Sequence, residues 1–381
     1  MSFGLGPVVL NLAVEQNRKG YDPVVWSFDS EADRSWAAVT SGLPSDRIHT
    51  FKKSWPNALG YSREMEKQVS IFGPQEISIV HQHGIWAGYS RCTNMFKKRG
   101  VATVITPHGS LQEWAIKKSK WKKKLALALY ESNNFRNAGC FHAVSEQEVG
   151  YIRDFGIKSP VAVIPNGVPD QWLKSVGDGE RFRCKFGISS ERRILLFLSR
   201  ITPKKGLPML LRALHAQNAW RTDWVLVIAG ADEFGHQAEV EAIVRNLGLE
   251  ANVQFVGPVF DQIKRDAFAA AELFVLPSYS EGAPIVILEA LAAGVPVVAT
   301  KASPWNDLEK YGCGWLTDIN PAGISAVLEE AFKTAPPDLA GMGKRGFDLV
   351  RQKYTWEQSG LKSLQLYDWL LGRAERPEFV V

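Results

Sequence analysis

The chain has 381 residues, of which 45% are hydrophobic and 22% are charged, and its formal net charge is +5. A chain of this length normally forms two domains, and this composition excludes a disordered or fibrous protein. No apolar run approaches the roughly 18 residues that a membrane span requires. The N-terminal residues show no basic n-region and no long apolar h-region, so we expect no signal peptide. The cysteines lack zinc-binding spacing, so the sequence favours a reducing cytoplasm.

Lysines are crowded into one eight-residue window that contains Trp121 and follows Trp114. They are Lys117, Lys118, Lys120, Lys122, Lys123 and Lys124. A charge run of this kind is usually a solvated helix face. The tryptophans and the apolar residues 125–130 equally favour docking on anionic lipid head groups. Both interpretations stay open, and nothing else in the sequence argues for nucleic-acid binding.

The N-terminal region begins with a glycine-containing segment, Gly4-Leu5-Gly6-Pro7, which predicts a loop before a helix over 8–17. No strand precedes this loop. Because the first strand of a doubly wound sheet lies centrally, we expect that the chain begins late. Val9 occupies the third glycine position of a GxGxxG motif, which argues against a dinucleotide-binding dehydrogenase.

Histidines follow two predicted strands of the N-terminal half. A strand over 76–80 precedes His81 and His83, which would share one face. A metal site is possible there, but a hydrogen-bonding or packing role is favoured because the sequence offers no third ligand nearby. A second strand, over 101–106, precedes His108, which should face a ligand at the carboxyl edge of the sheet.

The next strand, over 140–144, is followed by Ser145 and Glu148, whose spacing predicts a helix capping box. A strand over 161–164 then runs into the turn Pro165-Asn166-Gly167-Val168, and polar residues after this turn indicate a domain boundary.

Cations follow the first strand predicted in the C-terminal half, which spans 194–198. Arg200 and Lys205 lie between this strand and a helix over 207–217. Arginine suits bidentate phosphate recognition and lysine adds a point charge, so both residues indicate a phosphate site. Two further strands are predicted over 224–229 and 253–256.

A strand–turn–helix–strand unit follows, with strands over 273–276 and 297–299. Pro284 suits the first position of its helix and Gly294 the left-handed position after its end. The turn over 280–283 therefore lies at a helix N-terminus, where anions bind. Glu281 precedes the helix and Glu289 lies inside it, and carboxylates are good acceptors for sugar hydroxyls.

These motifs together resemble the retaining family 4 glycosyltransferases of the GT-B fold. Glu281 and Glu289 match a Glu-x7-Glu signature, and Arg200-x4-Lys205 followed by Gly206 matches the diphosphate-binding element. The turn at Asn166 looks like the junction between the two domains. Residues 303–308 and 312–315 resemble a bacterial subgroup that acts on surface and exopolysaccharide precursors.

The resemblance implies an α/β protein with two Rossmann-like doubly wound domains that face each other across a cleft. The domains would span 1–167 and 168–353, with a C-terminal helix over 354–381 that crosses back to the first domain. The implied reaction is transfer of a hexose from a nucleotide sugar, UDP-glucose or a similar UDP-hexose, to a saccharide or lipid-linked saccharide. No metal or other cofactor is expected. An isomerase of sugar nucleotides on the same scaffold is the alternative, and an oxidoreductase or a non-catalytic binding protein ranks lower.

The resemblance also implies roles for single residues. His108, Glu281, Arg200 and Lys205 would be catalytic, with the two cations stabilising the leaving diphosphate. Glu289 would hold the ribose, Glu281 the sugar hydroxyls, and His108 the transferred sugar. The remaining expected donor contacts are Gly4, Leu5, Gly6, Asn166, Gly257, Val259, Gly282, Ala283, Pro284, Ile285 and Val286.

Overall fold

The structure of the protein is a computed structural model that describes residues 5–28, 42–117, 119–217 and 220–381. The chain divides into two compact units. Unit 1 comprises Met1–Asn166 and Trp356–Val381, and unit 2 comprises Gly167–Thr355. The divisions lie one residue before the first expected boundary and two residues after the second. Each unit is an α/β domain with parallel strands.

The strands of unit 1 form two parallel sheets in the described residues. One sheet pairs β1 (Val25–Phe28) with β2 (Ile48–Phe51). The other has four strands in the order β3-β4-β5-β6, namely Ile79–His83, Ala102–Thr106, Cys140–Ala143 and Val161–Val163. Their carboxyl ends therefore lie along one edge, which is where ligands bind in open α/β sheets.

The helices of unit 1 surround these sheets. They are Leu5–Arg18, Arg63–Ile71, Ser90–Lys98, Glu113–Lys117, Lys120–Ala126, Ser132–Asn137, Glu146–Asp154 and Trp356–Leu370, with short 3₁₀ helices at Ser45–Arg47 and Asn57–Leu59 and a π-helical turn at Leu127–Glu131. Buried strand residues such as Ile105 and Phe141 form the centre of the packing.

The C-terminal segment completes unit 1. The helix Trp356–Leu370 packs on the first helix, and Gln16 of that helix donates hydrogen bonds to Ser363 and Tyr367. The final residues then cover the edge of the sheet, because Val381 exchanges backbone hydrogen bonds with Val161. A covered edge strand cannot pair with another chain.

The described residues of unit 2 form one parallel sheet of six strands in the order β12-β11-β10-β7-β8-β9. In chain order, β7 to β12 are Arg193–Leu198, Trp224–Ala229, Val253–Gly257, Leu273–Leu276, Val297–Thr300 and Gly314–Thr317. The chain starts at the centre with β7, adds β8 and β9 on one side, and then returns to add β10, β11 and β12 on the other. The strand order therefore reverses between β7 and β10, and this switch point is the preferred ligand site of a doubly wound sheet.

The helices of unit 2 cover both faces of this sheet. They are Gln171–Lys174, Gly179–Phe186, Leu207–His215, Trp220–Asp223, His236–Asn246, Asp261–Ala270, Ile285–Ala292, Asp307–Lys310, Pro321–Lys333 and Pro336–Lys353, with a 3₁₀ turn at Pro203–Lys205. Two hydrophobic clusters lie on opposite sides of β7, since Leu196 belongs to one cluster and Leu195 to the other. Continuous apolar strands are typical of parallel sheets that are buried on both faces.

The described residues include no helix with the length and apolar character needed to cross a bilayer.

The predicted elements of unit 2 lie within a few residues of the observed ones. In unit 1, two predictions were wrong. Strand β3 begins at Ile79 and includes His81 and His83, which were expected to follow the strand. The first helix begins at Leu5, so the expected loop over residues 5–7 is the first helical turn. Pro7 is tolerated there because the first N–H groups of a helix have no intrahelical acceptor.

Candidate functional site

The loops that follow β7 and β10 touch each other at the switch point of unit 2. Gly206 has a φ of 71°, and a Cβ atom there would lie 2.0 Å from the carbonyl oxygen of Pro277. The backbone N–H of Tyr279 donates to the carbonyl of Lys204 over 2.9 Å. Only glycine satisfies both the left-handed conformation and this close approach. The local sequence thus fixes the two loops against each other.

Lys205 and Glu281 form a buried ion pair between these loops. The Nζ atom of Lys205 lies 2.6 Å from Oε1 of Glu281, and both side chains are buried. Ser278 donates its hydroxyl to the same carboxylate oxygen over 2.5 Å. A buried charge is tolerated when it is paired and hydrogen-bonded. The predicted phosphate-binding lysine and the predicted sugar-binding acid therefore contact each other directly.

Arg200 also has a carboxylate partner at this edge. Its Nη1 atom lies 2.6 Å from Oε1 of Glu233, which follows β8, the strand next to β7. About half of the Arg200 side chain is exposed, at 54%. An ion pair with this exposure stabilises the fold little, so it leaves the guanidinium available to an anionic ligand.

Glu289 lies inside an apolar helix and is paired with a lysine from the preceding helix. The Nζ atom of Lys264 is 2.6 Å from Oε1 of Glu289 and 5.8 Å from the centre of the Trp172 ring. Because Glu289 is a buried acid on an apolar helix, it requires a partner, and Lys264 supplies one.

The helix that carries Glu289 begins at Ile285, and its N-cap is Pro284 instead of a side-chain acceptor. Gly282, Ala283 and Val286 are half-buried around this N-terminus, and Gly294 adopts the expected left-handed conformation after the helix end, with a φ of 74°. The helix N-terminus presents its positive dipole end beside Glu281.

The residues expected to contact the base follow β9. Gly257 ends the strand with a φ of 73°. The side chain of Val259 is buried in the core of unit 2, so it can offer only backbone groups to a ligand.

Four histidines of unit 1 form a continuous cluster. His81 and His83 stack with ring centres 4.2 Å apart, and Nδ1 of His83 lies 3.0 Å from Nε2 of His108. His142 on β5 lies 3.3 Å from His81 and contacts the Ile164 carbonyl oxygen over 2.7 Å. His108 has a φ of 52°, an uncommon left-handed conformation for a residue with a side chain.

Burial lowers the pKa of every histidine in this cluster. The pKa of His83 falls to about 3 and that of His142 to about 4. Burial, together with repulsion from neighbouring histidines, also lowers the pKa values of His81 and His108 well below the usual range. The four imidazoles are therefore neutral near pH 7 and act as hydrogen-bonding groups.

The sequence left a metal site open at His81 and His83, and in the structure both rings contact side chains of unit 1. His81 contacts the Tyr367 hydroxyl over 2.6 Å and the Thr106 hydroxyl over 2.7 Å. Within the described ranges, no group of three or more histidine, cysteine, aspartate or glutamate residues could hold a metal ion.

The remaining predicted donor contacts belong to unit 1. Leu5 and Gly6 start the first helix, and the Leu5 side chain approaches the loop after β3 at Gly84. Asn166 is buried at the end of the first segment of unit 1. Gly4 lies outside the described residues.

Sequence patterns did not indicate the contacts of three residues near the predicted sites. Glu233 and Lys264 pair with Arg200 and Glu289 across 33 and 25 residues of sequence, so no local pattern points to them. Glu148 was predicted as a member of a capping box, and Ser145 indeed accepts from its backbone N–H. Its carboxylate, however, binds the loop that contains His108.

Comparisons with known proteins match two family models to the chain. Residues 3–167 match the model of the glycosyl transferase 4-like domain, and residues 178–346 match that of glycosyl transferases group 1. The two family models correspond to the two units and together cover most of the chain.

Similar proteins include several glycosyltransferases. An uncharacterised glycosyltransferase of Methanocaldococcus jannaschii is 27% identical over 81% of this chain and 80% of its own length. The GDP-mannose:cellobiosyl-diphosphopolyprenol alpha-mannosyltransferase of Komagataeibacter xylinus is also 27% identical, over 97% of this chain and 91% of its own.

A solved structure of Anabaena HepE in complex with UDP and glucose superposes with a TM-score of 0.76 at 19% identity, covering 97% of both chains. At this identity the likeness shows the GT-B fold alone. The matched models, the relatives and the fold lead to one assignment: the chain belongs to the family 4 glycosyltransferases of the GT-B fold.

Proposed function

We propose that the protein transfers a hexose, with retention of configuration, from a UDP-sugar such as UDP-glucose to a saccharide or lipid-linked saccharide acceptor in polysaccharide synthesis. The observation that carries this proposal is the group of charged side chains at the switch point of unit 2. Two cations, Arg200 and Lys205, follow the same strand there, at an edge that also presents a helix N-terminus. This combination suits a diphosphate flanked by hydroxyl groups.

In the proposed reaction, Arg200 and Lys205 bind the diphosphate and stabilise the charge that grows on it as the sugar leaves. Glu281 exchanges Lys205 for sugar hydroxyls, and Glu289 exchanges part of its contact with Lys264 for the ribose. His108 of unit 1 contacts the transferred sugar. The bond from the anomeric carbon to the phosphate oxygen breaks while a bond to the acceptor oxygen forms on the same face. The proton of the acceptor hydroxyl moves to the leaving phosphate.

The acceptor class is supported by one relative, whose name specifies a saccharide on a diphosphopolyprenol. The same name specifies GDP-mannose as donor, whereas the HepE structure holds UDP and glucose. The donor therefore has to be measured.

A panel of nucleotide sugars tested for slow hydrolysis identifies the base and the sugar without knowledge of the acceptor. We expect release of UDP from UDP-glucose or a related UDP-hexose. Cleavage of GDP-mannose alone would contradict the proposed donor and leave the assignment as a glycosyltransferase intact.

A second test concerns metal. Because two side-chain cations face the diphosphate, turnover should survive excess EDTA. A complete loss that Mg²⁺ restores would show that an ion neutralises the leaving group instead.

We also propose that unit 1 docks peripherally on the anionic cytoplasmic face of a membrane. The support is an exposed apolar stripe on the helical segment that contains the lysine window. Trp121, Leu125 and Leu129 recur every fourth residue and are 67%, 46% and 62% exposed. Residues four apart lie on one side of a helix, and an apolar stripe bordered by lysines is typical of helices that lie in a membrane interface.

Fewer lysines border this stripe than the sequence suggested. Lys117 pairs with Glu113, Lys123 turns inward to the Ala115 carbonyl, and Lys118 lies outside the described residues. Besides the exposed Lys117, which is in that ion pair, the exposed lysines of the segment are Lys120, Lys122 and Lys124. At about 1 kcal/mol each, they provide weak and reversible attraction, to which the apolar stripe adds.

Co-sedimentation with vesicles tests the docking. Binding to anionic vesicles should exceed binding to neutral ones at low salt, and the excess should decline as salt screens the charges. Changing Lys120, Lys122 and Lys124 to Gln should abolish the excess. A matched control changes the exposed Lys52, Lys53 and Lys98 of the same unit to Gln. If both triple variants lose binding equally, or neither does, the stripe is an ordinary solvated helix face.

A further inference from the structure

Glu148 is a buried acid that the proposed reaction does not use. Its residue is 2% exposed, and it lies in the first turn of the helix Glu146–Asp154. A capping-box glutamate normally returns to the N–H of its own N-cap residue. Here the two carboxylate oxygens accept from other backbone groups: Oε2 from Val144 over 2.8 Å and Oε1 from Gly109 over 2.6 Å.

The Gly109 contact fixes a loop that is held in an unusual conformation. His108 and Gly109 are both left-handed, with φ values of 52° and 74°. A left-handed residue with a side chain persists only where its surroundings hold it. Glu148 binds the N–H that immediately follows His108, and it joins that loop to the end of β5 through Val144.

We infer that Glu148 is a positioning residue that holds the His108 loop in its left-handed conformation and so directs the His108 ring toward the sugar. This inference rests on the proposed role of His108. In this inference Glu148 acts through the His108 loop, since both of its carboxylate oxygens bind backbone N–H groups. Burial raises the pKa of the Glu148 carboxyl group above its usual value, and the two N–H donors oppose that rise only in part.

The substitution Glu148→Gln preserves size but replaces one acceptor oxygen with an NH₂ group, so one of the two backbone N–H groups loses its acceptor. We expect kcat for donor hydrolysis to fall about 10- to 100-fold, as a small displacement of a catalytic group can cause. The affinity for UDP, which unit 2 binds, should not change. The matched control is Ser145→Ala, which removes the cap of the same helix without touching Gly109 and should keep kcat.

A double-mutant cycle decides how Glu148 acts. In a His108→Ala background, Glu148→Gln should cost nothing further in kcat, because its effect passes through the His108 ring. An equal loss in both backgrounds, or a wild-type kcat for Glu148→Gln alone, would overturn the inference. If His108→Ala keeps full turnover, the proposed role of His108 fails and the inference fails with it.

The wild-type enzyme provides a measurement that does not depend on whether the variant folds. Hydrogen exchange of the Gly109 amide should be slow in the intact protein, since a buried carboxylate accepts from it. Rapid exchange at Gly109, with slow exchange at Val144, would show that Glu148 does not hold the loop.

Discussion

The charged side chains around the switch point of unit 2 are organised as acid–base pairs. Arg200 contacts Glu233 and Lys205 contacts Glu281. A diphosphate has to compete with these carboxylates, and the two pairs differ in what the competition costs. Arg200 is half-exposed, whereas Lys205 is buried, so releasing Lys205 removes one hydrogen-bond donor from the buried Glu281, which keeps the Ser278 donor. Sugar hydroxyls are such donors.

Arg200→Ala and Lys205→Ala should each weaken binding of UDP by about 1.5–3 kcal/mol, as expected for a hydrogen bond to a charged group. Glu233→Gln should do the opposite and raise affinity by up to about fivefold, because an exposed pair is worth at most about 1 kcal/mol. Isothermal titration calorimetry measures both changes. Lys301→Ala removes an exposed lysine of unit 2 that pairs with Asp318, and it serves as the control. Unchanged affinity in both alanine variants would disprove the phosphate site.

At this scale, sequence predicts which residues carry chemistry better than it predicts their partners. The sequence predicts the roles of Glu281 and Glu289 and of the cations after β7, because each of these sets follows a strand with a clear local pattern. The sequence does not indicate Glu233 and Lys264 as partners of these residues, since only the folded domain brings them into contact. Glu148 shows the same limit: its capping spacing predicts a local contact, and the contact with Gly109 spans 39 residues.

Among the elements, the loops after β7 and β10 depend on Gly206. In unit 2, Gly187 offers a matched comparison, because it is also left-handed, with a φ of 64°, but a Cβ atom added there would meet nothing within 4 Å. The two glycines therefore separate the cost of backbone conformation from the cost of a clash.

Gly187→Ala should lower the free energy of unfolding by about 1–2 kcal/mol, the cost of a left-handed residue with a side chain. Gly206→Ala should lower it further and should also reduce donor hydrolysis, because relieving the clash with Pro277 displaces the neighbouring Lys205. Thermal unfolding and turnover measure the two effects. If Gly206→Ala behaves like Gly187→Ala in both assays, the two loops are not fixed against each other.

The strands β3, β4 and β5 bring the histidines together, and this arrangement predicts a pH dependence. An unfolded histidine binds a proton near pH 6.5, whereas His142 in the folded protein does so near pH 4. Between these values the unfolded chain binds more protons, so stability rises with pH in this window and is level above it. The slope should be about 1.4 kcal/mol per pH unit for each such histidine.

His142→Gln should flatten the dependence on pH by about one proton between pH 4 and 6.5. Hydrogen exchange of peptides from β3 to β5, compared between wild type and variant across this range, measures the difference. Identical pH profiles would mean that His142 protonates equally in the folded and unfolded protein.

Secondary structure was predicted most accurately where residues that end helices or strands lie on both sides of an element. Strands β8 and β10 match their predicted bounds because an apolar run lies between polar residues or a proline or glycine turn. The sequence placed strand β3 too early in the chain, because His81, Gln82 and His83 are polar. Pairing with β4 and contacts with Tyr367 and His108 nevertheless keep these three residues in the sheet. Strand β12 was missed, since Gly314 and Trp315 gave no local strand pattern.

For the whole molecule, the division into units does not follow chain order. Unit 2 is one continuous segment, whereas unit 1 joins the first segment of the chain to the last. The helix Trp356–Leu370 packs on Leu5–Arg18, and the tail at Val381 pairs with Val161. Removing that last segment would take the Tyr367 hydroxyl away from the His81 ring and would uncover the edge of the sheet.

A fragment of residues 167–355 should therefore fold by itself and bind UDP, while a fragment of residues 1–166 should not fold stably. Circular dichroism and limited proteolysis of the two fragments test this expectation. Adding a separate peptide of residues 356–381 to the first fragment should restore protection from protease. Stable folding of residues 1–166 alone would show that the C-terminal segment is dispensable.

The split of unit 1 has a consequence for biosynthesis. On the ribosome, the N-terminal segment of unit 1 emerges first. It stays incompletely packed until all of unit 2 has been synthesised. Domains normally fold in the order in which they emerge. Here unit 2 can complete its folding before unit 1 does. Until then, the nascent N-terminal segment exposes the apolar surface that residues 356–370 later cover. Ribosome-associated chaperones should therefore bind this segment longest, and release should coincide with the appearance of the final helix.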